Sequence, residues 1–322
     1  MADRYNAASV SIRRQWLVAV SGGQRASRDQ SRNQSRNTSH DHSIDKRNDQ
    51  SSREPNVSSE FEFAVDLARK AGEMIARERR DADLTHSYKG GTELVTNADL
   101  AADRMISDAI REHFPDHLII SEESAPETGD VQHLDQPLWI IDPIDGTVNY
   151  AHGHLQSAVS IAHVRAGKVV LGVVFNPFVD ELFHAQQGGG AFVNDTPIKV
   201  SGLTELSKAL VATGFPYIKV NLEPQIARLS AVIHQCADIR RLGSAALDIC
   251  WVAAGRLDGY YENLSLWDFA AARLIAQEAG AHCGHFSPLP EGVDPQFHCN
   301  DLLITTPALF DPLHALLNAA ND

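Results

Sequence analysis

Between Leu118 and Val193 the chain is a succession of short apolar runs too brief for helices, broken by turn residues. Leu118–Ile120, Leu138–Ile141, Ala158–Val164, Val169–Phe175 and Glu181–Ala185 each have the length and composition of a strand. Ala166-Gly167-Lys168 reads as a hairpin connection, and Gly188-Gly189-Gly190 as another before Ala191-Phe192-Val193. Helical spacing brackets this block. Upstream, Ser59-Glu60-Phe61-Glu62 has the form of a capping box, followed by Phe61, Val65, Ala68, Gly72 and Ile75. A second helix is expected from about Ala98 to Phe114, stopped by Pro115. Downstream, a strand at Leu210–Thr213 and a late one at Leu302–Thr305 alternate with helices. These helices are expected over Ile226–Gln235, Ala245–Ala254 and Trp267–Ala279, with a last one opened by Pro307. Strands and helices mixed in this way imply sheets layered with helices.

The first 57 residues are different. They carry ten Lys and Arg against six Asp and Glu, a net of +4 in a chain of net −14, which leaves −18 on the rest. From residue 21 onward this stretch has almost no large apolar side chain, so it cannot offset its ordering entropy and is expected to be disordered. Residues 58–322 hold the folded domain, with a first half at 58–200 and a second α/β half at 201–322. The acidity of that part disfavours nucleic acid and anionic membrane as non-specific partners. No apolar run approaches the ~20 residues that span a bilayer, and Trp16–Val20 is shorter than a signal-peptide core. Four scattered cysteines, Cys236, Cys250, Cys283 and Cys299, fit a reducing cytoplasm. His282, Cys283, His285, His298 and Cys299 lack the paired spacing of zinc motifs. Trp251, Tyr260 and Tyr261 are expected in core or interface packing.

The chemistry concentrates at Trp139-Ile-Ile-Asp142-Pro143-Ile144-Asp145-Gly146-Thr147. An apolar strand runs directly into two acids. Pro143 is expected to give a sharp strand exit that turns both carboxylates toward one point. Gly146 allows a close backbone approach, and a helix starting after it would aim free N–H groups at an anion. Taken alone, Asp-Pro-x-Asp-Gly is an acidic turn. Three further acids change that reading. Glu122 ends another strand, Asp268 opens an apolar helix, and Asp99 opens a third element after Thr96-Asn97. Carboxylates beside an anion cradle are the hard oxygen donors that Mg²⁺ prefers.

Glu122-Glu123, Trp139–Thr147 and Trp267-Asp268 occur in the order and character of the inositol monophosphatase family. Leu94–Asp99, Asn149–Gly153 and Gly243–Ala246 are further similar stretches, and the resemblance covers roughly residues 60–320. It implies an αβαβα sandwich of the sugar-phosphatase type. It also implies roles. Glu122, Asp142 and the Ile144 carbonyl would hold a first Mg²⁺, and Asp142, Asp145 and Asp268 a second, with two or three ions in all. Thr147 would orient the attacking water with Asp99 as its partner, Glu122 standing with them as catalytic. Gly146 and Thr147 would hold the phosphate through backbone N–H groups, Lys89 would sit near the bound waters, and Ala245 and Glu262 would touch the substrate alcohol. Glu123 would support the ligands without being one.

The implied activity is hydrolysis of myo-inositol 1-phosphate. Histidinol phosphate, fructose 1,6-bisphosphate and nucleotide phosphates are the alternatives within the same chemistry. A regulatory protein acting in RNA processing through partners is the alternative from another class. Lithium sensitivity and a homodimer are expectations from the same resemblance, beside the cytoplasmic location that the cysteines suggest.

Overall fold

The computed structural model describes residues 57–81, 85–89, 93–124, 135–217 and 219–320. The polar stretch expected over 1–57 lies outside them except for Val57. There the first helix starts, α1 over Val57–Asp81. Because α1 is already under way at Ser59, Ser59 and Glu62 do not open it as a capping box. Glu60 between them is buried, and its carboxylate accepts from Arg165 at 2.6 Å in a tertiary ion pair.

A small hairpin, β1 (His86–Lys89) and β2 (Glu93–Thr96), leads into α2 (Asn97–His113). Then come β3 (Leu118–Ser121), β4 (Leu138–Asp145), α3 (Thr147–His152), β5 (Ala158–Arg165), β6 (Lys168–Asn176), β7 (Glu181–Gln186), β8 (Ala191–Val193) and β9 (Thr196–Pro197). They form a seven-stranded sheet in the order β3-β4-β5-β6-β7-β8-β9, parallel only between β3 and β4. Gly188 and Gly190, both at positive φ, make the β7–β8 turn.

The second part holds β10 (Leu210–Thr213), α4 (Glu223–Gln235), β11 (Asp238–Arg240), α5 (Ala245–Ala253), β12 (Gly259–Glu262) and α6 (Leu266–Glu278). It ends with β13 (His282–His285), β14 (Leu302–Thr305) and α7 (Phe310–Ala319). Pro307 opens a short 3₁₀ turn before α7 rather than the helix itself. The five strands are ordered β11-β10-β12-β14-β13.

Strand alternation decides the layers. Trp139 and Ile141 point from β4 into a core shared with α1 and α2, whereas Leu138 and Ile140 point to the opposite face, against α5 and α6. In the smaller sheet, Ala212, Tyr260 and Ile304 face that same α5–α6 layer. Val211, Tyr261 and Leu303 face α4 and α7. The result is the αβαβα stack that the sequence implied. Because α5 and α6 lie between two sheets, they are apolar on nearly every side: nine consecutive-to-near positions of α6 are buried, from Leu266 to Ala276. Small residues let the layers close. A Cβ at Gly172 of β6 would lie 2.5 Å from the Ala271 carbonyl oxygen and 2.9 Å from its Cα, so α6 rests directly on the sheet there. Tyr260 and Tyr261 are both core residues, one on each face of β12.

β4 departs from the expected strand exit. It continues through Pro143 to Asp145, and its ladder to β5 shifts register between Asp142 and Asp145. Pro143 offers no N–H, so the ladder opens locally as a bulge instead of ending. That bulge sets the two aspartates before the chain turns at Gly146, whose φ is 89°.

Candidate functional site

Parallel pairing of β3 and β4 brings their carboxyl ends together. Ser121 pairs with Ile141, and the Glu122 N–H donates to the Ile141 carbonyl at 3.2 Å, which sets Glu122 beside Asp142. Their carboxyl groups share a hydrogen bond. Asp142 also accepts from the Ile144 N–H at 3.0 Å. Asp145 is fixed from the other half of the chain. Its carboxylate accepts from the Ala246 N–H at 2.8 Å, the Ala245 N–H at 3.2 Å and the Ser244 hydroxyl, so it caps the amino end of α5. Asp268 sits in the first turn of α6 and accepts from the Ser265 N–H at 2.8 Å.

These elements bring one carboxylate oxygen from each of Asp142, Asp145 and Asp268 within 4.8 Å of one another. Asp142 and Asp145 are only 1% and 6% exposed. Burial, reinforced by neighbouring negative charge, pushes Asp142 and Glu122 well above the usual carboxylate range. Burial raises Asp145 to about 6, against hydrogen bonds from Ser244 and the α5 backbone that pull it down. Packing like charges this closely is unfavourable unless a cation joins them. The donors are hard oxygens in a protein-lined cage, and they fit a divalent metal ion such as Mg²⁺. The Ile144 carbonyl faces the same turn and accepts from the Thr147 hydroxyl at 3.1 Å.

That hydroxyl also lies 3.2 Å from Asp99 Oδ1. Asp99 is 1% exposed at the start of α2, and its other oxygen accepts from both the N–H and the hydroxyl of Thr96. Burial raises the Asp99 pKa while these hydrogen bonds oppose the shift. Gly146 precedes α3, and a Cβ there would meet the Gln156 and Gly243 carbonyl oxygens at 2.8 and 3.0 Å, so only glycine fits. Ala245 lies at the cage through its N–H. Glu262 ends β12, accepts from the Tyr260 hydroxyl, and is raised to about 7 by burial first, with Asp145 adding to the shift. Lys89 closes β1, but its side chain lies outside the described positions.

Two residues at the site carried no local signal. Ser244 has the look of an ordinary helix cap, yet its hydroxyl is spent on Asp145, 99 positions away. Tyr217 follows β10 and is half exposed, yet desolvation of its hydroxyl and then the charges of Glu122, Asp145, Asp268 and Asp142 push its pKa up. A second group of possible ligands, Glu60, His117 and His163, lies by the start of β4. His117 Nδ1 accepts from Trp139 Nε1 at 3.0 Å, so the neutral ring carries its proton on Nε2 and offers no lone pair to a cation.

The fold and the cage define a class: layered αβαβα proteins whose acids from the larger sheet and from the helical layer beneath it converge on one potential metal site. Residues 56–306 match the model of the inositol monophosphatase family, and the chain belongs to that family. It is 45% identical over 222 residues to the Nus factor SuhB of Pasteurella multocida, covering 68% of this chain and 82% of that one. Against the Nus factor SuhB of Escherichia coli K12 the identity is 42% over 229 residues, covering 70% and 84%. Among solved structures, the extragenic suppressor protein suhB of Bartonella henselae superimposes with a TM-score of 0.73 at 35% identity, over 80% of this chain and 98% of that one. A Thermotoga maritima IMPase gives 0.70 at 33% identity, over 82% and 98%.

Proposed function

We propose that the chain is a Mg²⁺-dependent phosphomonoester hydrolase acting on a small phosphorylated alcohol, with myo-inositol 1-phosphate the leading substrate. The observation that carries this reading is the convergence of Asp142, Asp145 and Asp268 within 4.8 Å, with Glu122 hydrogen-bonded to Asp142. Family membership supports phosphatase activity in general. The cation, when bound, neutralises phosphoryl charge and lowers the pKa of water. The protein's own part is positioning and proton handling. Thr147 Oγ donates toward Asp99, so it can accept a proton from an attacking water as its own passes to the Asp99 carboxylate. Backbone N–H groups of Gly146 and Thr147 hold the phosphate, while Ala245, Glu262 and Lys89 face the alcohol and the waters around it. No covalent phosphoryl-enzyme forms, so rapid quench traps none.

The test is phosphate release from inositol 1-phosphate beside histidinol phosphate, fructose 1,6-bisphosphate and a nucleotide phosphate, with and without Mg²⁺. Mg²⁺-dependent release highest for the inositol ester supports the reading; absence of release from every ester ends it. A second reading is a regulatory partner in transcription or RNA processing, favoured by the relatives named Nus factor SuhB. Asp142→Asn separates the two: hydrolysis collapses, whereas partner binding survives.

A further inference from the structure

Residues 286–301, between β13 and β14, form neither helix nor strand. Backbone groups of such a segment have no ladder of their own, so other partners must hold them. One buried side chain holds this segment from inside. His285, the last residue of β13, is 8% exposed. Its Nδ1 lies 2.8 Å from the Asn300 carbonyl oxygen and its Nε2 lies 3.0 Å from that of Pro295. Carbonyl oxygens only accept, so each bond needs a proton on the ring nitrogen that faces it. The ring thus ties two points of the segment, five residues apart, to the end of β13.

The residues held in this way meet the start of α6. On one side of Asn300, the Cys299 carbonyl accepts from the Leu264 N–H at 2.9 Å. On the other side, the Asp301 N–H donates to Asn263 Oδ1 at 2.6 Å. The Asp301 carbonyl accepts from the Phe286 N–H at 2.8 Å. Asp301 is also held at φ 54°, a left-handed conformation uncommon for a residue with a side chain. Asn263 and Leu264 run directly into Ser265, the N-cap of α6, whose N–H donates to Asp268 at 2.8 Å. An unbroken series of bonds therefore leads from the His285 ring through residues 299–301 and 263–264 to an acid of the cage.

We propose that His285 is a positioning residue for the cation cage. By holding Asn300 and Pro295 it seats residues 299–301 against 263–264, and so fixes where α6, and Asp268 with it, begins. This rests on the reading of the cage as a metal site. A ligand's support sets its aim, and loss of such support typically weakens metal binding by about 10- to 100-fold.

The experiment uses the full chain and reads two quantities: amide hydrogen exchange in chelator, and the Mg²⁺ concentration that gives half of the rise in Tm. The variants are His285→Leu, His285→Asn and His285→Gln. Asparagine places an amide near the position of Nδ1 and keeps the donor to Asn300. Glutamine places one near Nε2 and keeps only the donor to Pro295. His285→Leu is expected to speed exchange at Leu264 and Asp301 about tenfold, to leave the β5 and β6 amides unchanged, and to raise the half-effect Mg²⁺ concentration about tenfold. His285→Asn should bring both readings back to within about threefold of the wild type, because Asn300 lies between the two residues that meet 263–264. His285→Gln should not. Faster exchange throughout the domain overturns the proposal by making His285 a general core residue. Faster exchange at Leu264 and Asp301 with an unchanged Mg²⁺ response also overturns it, by confining the effect to the loop. Equal effects of leucine and asparagine do the same, since the bond to Asn300 then seats nothing. If the Tm of the unaltered chain ignores Mg²⁺, the metal reading fails first and the positioning role falls with it, whatever the exchange at Leu264 shows.

Discussion

Asp142→Asn separates the cost of the acid cage from its use. Asparagine is isosteric, its Oδ1 can still accept from the Ile144 N–H, and its amide can donate to Glu122. The fold therefore has no steric reason to suffer. Two unit charges 4.8 Å apart, the limit for the Asp142, Asp145 and Asp268 oxygens, repel by about 3 kcal/mol at an effective dielectric of ~20. Protonation relieves part of this without a metal, so the metal-free variant should be as stable as the wild type or more stable, by up to about 3 kcal/mol. With a divalent cation the sign reverses. Losing about 3 kcal/mol of attraction weakens binding by about 100-fold. The assay is thermal unfolding in chelator and across a Mg²⁺ titration, followed by phosphate release. The wild-type Tm should climb with Mg²⁺, the variant's should respond only at about 100-fold higher concentration, and hydrolysis should collapse. A variant that melts well below the wild type in chelator, or that keeps the wild-type Mg²⁺ response, would refute the reasoning.

Asp145→Asn tests the electrostatics through pH. The folded pKa of Asp145 is raised to about 6 from 3.8, so its contribution to stability is full below the unfolded value and lost as pH rises through 6. In chelator, the variant should gain on the wild type by about 1 kcal/mol between about pH 5 and pH 7.5. The histidines held low by burial, His117, His184 and His298, cancel in this difference; a gap that shrinks with rising pH contradicts the assignment. Thr147→Val should lower kcat by about 10²- to 10⁴-fold, while Thr147→Ser, which keeps the hydroxyl facing Asp99, should retain most activity. Equal rates for the two would remove Thr147 from proton handling. Gly172→Ala drives a Cβ into the backbone of α6 at Ala271 and should cost about 2 kcal/mol in denaturant unfolding. An unchanged midpoint would show that the layer contact is looser than described.

The strands of the larger sheet were legible because each is a short apolar run bounded by turn residues. Fully buried β4 and β5 leave little room for polar alternation to blur them. β11, β12 and β13 were not read as strands. Asp238-Ile239-Arg240 is three residues with one apolar side chain, and it becomes a strand only through pairing with β10. The acids of β4 stood out because an apolar run stops at them. Asp268 and Asp99 were visible as helix-opening carboxylates, and both do sit in a first turn. What no local pattern could give was the cross-chain support: Ser244 and the α5 amides on Asp145, and Tyr217 in the field of the acids. Those relations depend on the docking of two sheets, and docking is not a local property of the chain.

The attachment of Asp145 to the amino end of α5 has a kinetic corollary. A cation held by this carboxylate is also clamped, through the α5 amides, to the helical layer that separates the two sheets. Asp268 of α6 would hold the same ion as Asp145 of β4, so sliding that layer would break a coordination bond as well as the α5 hydrogen bonds, and the ion would work as a rivet. Amide hydrogen exchange in α5 should slow sharply on adding Mg²⁺, while the distant β8–β9 edge keeps its own pace.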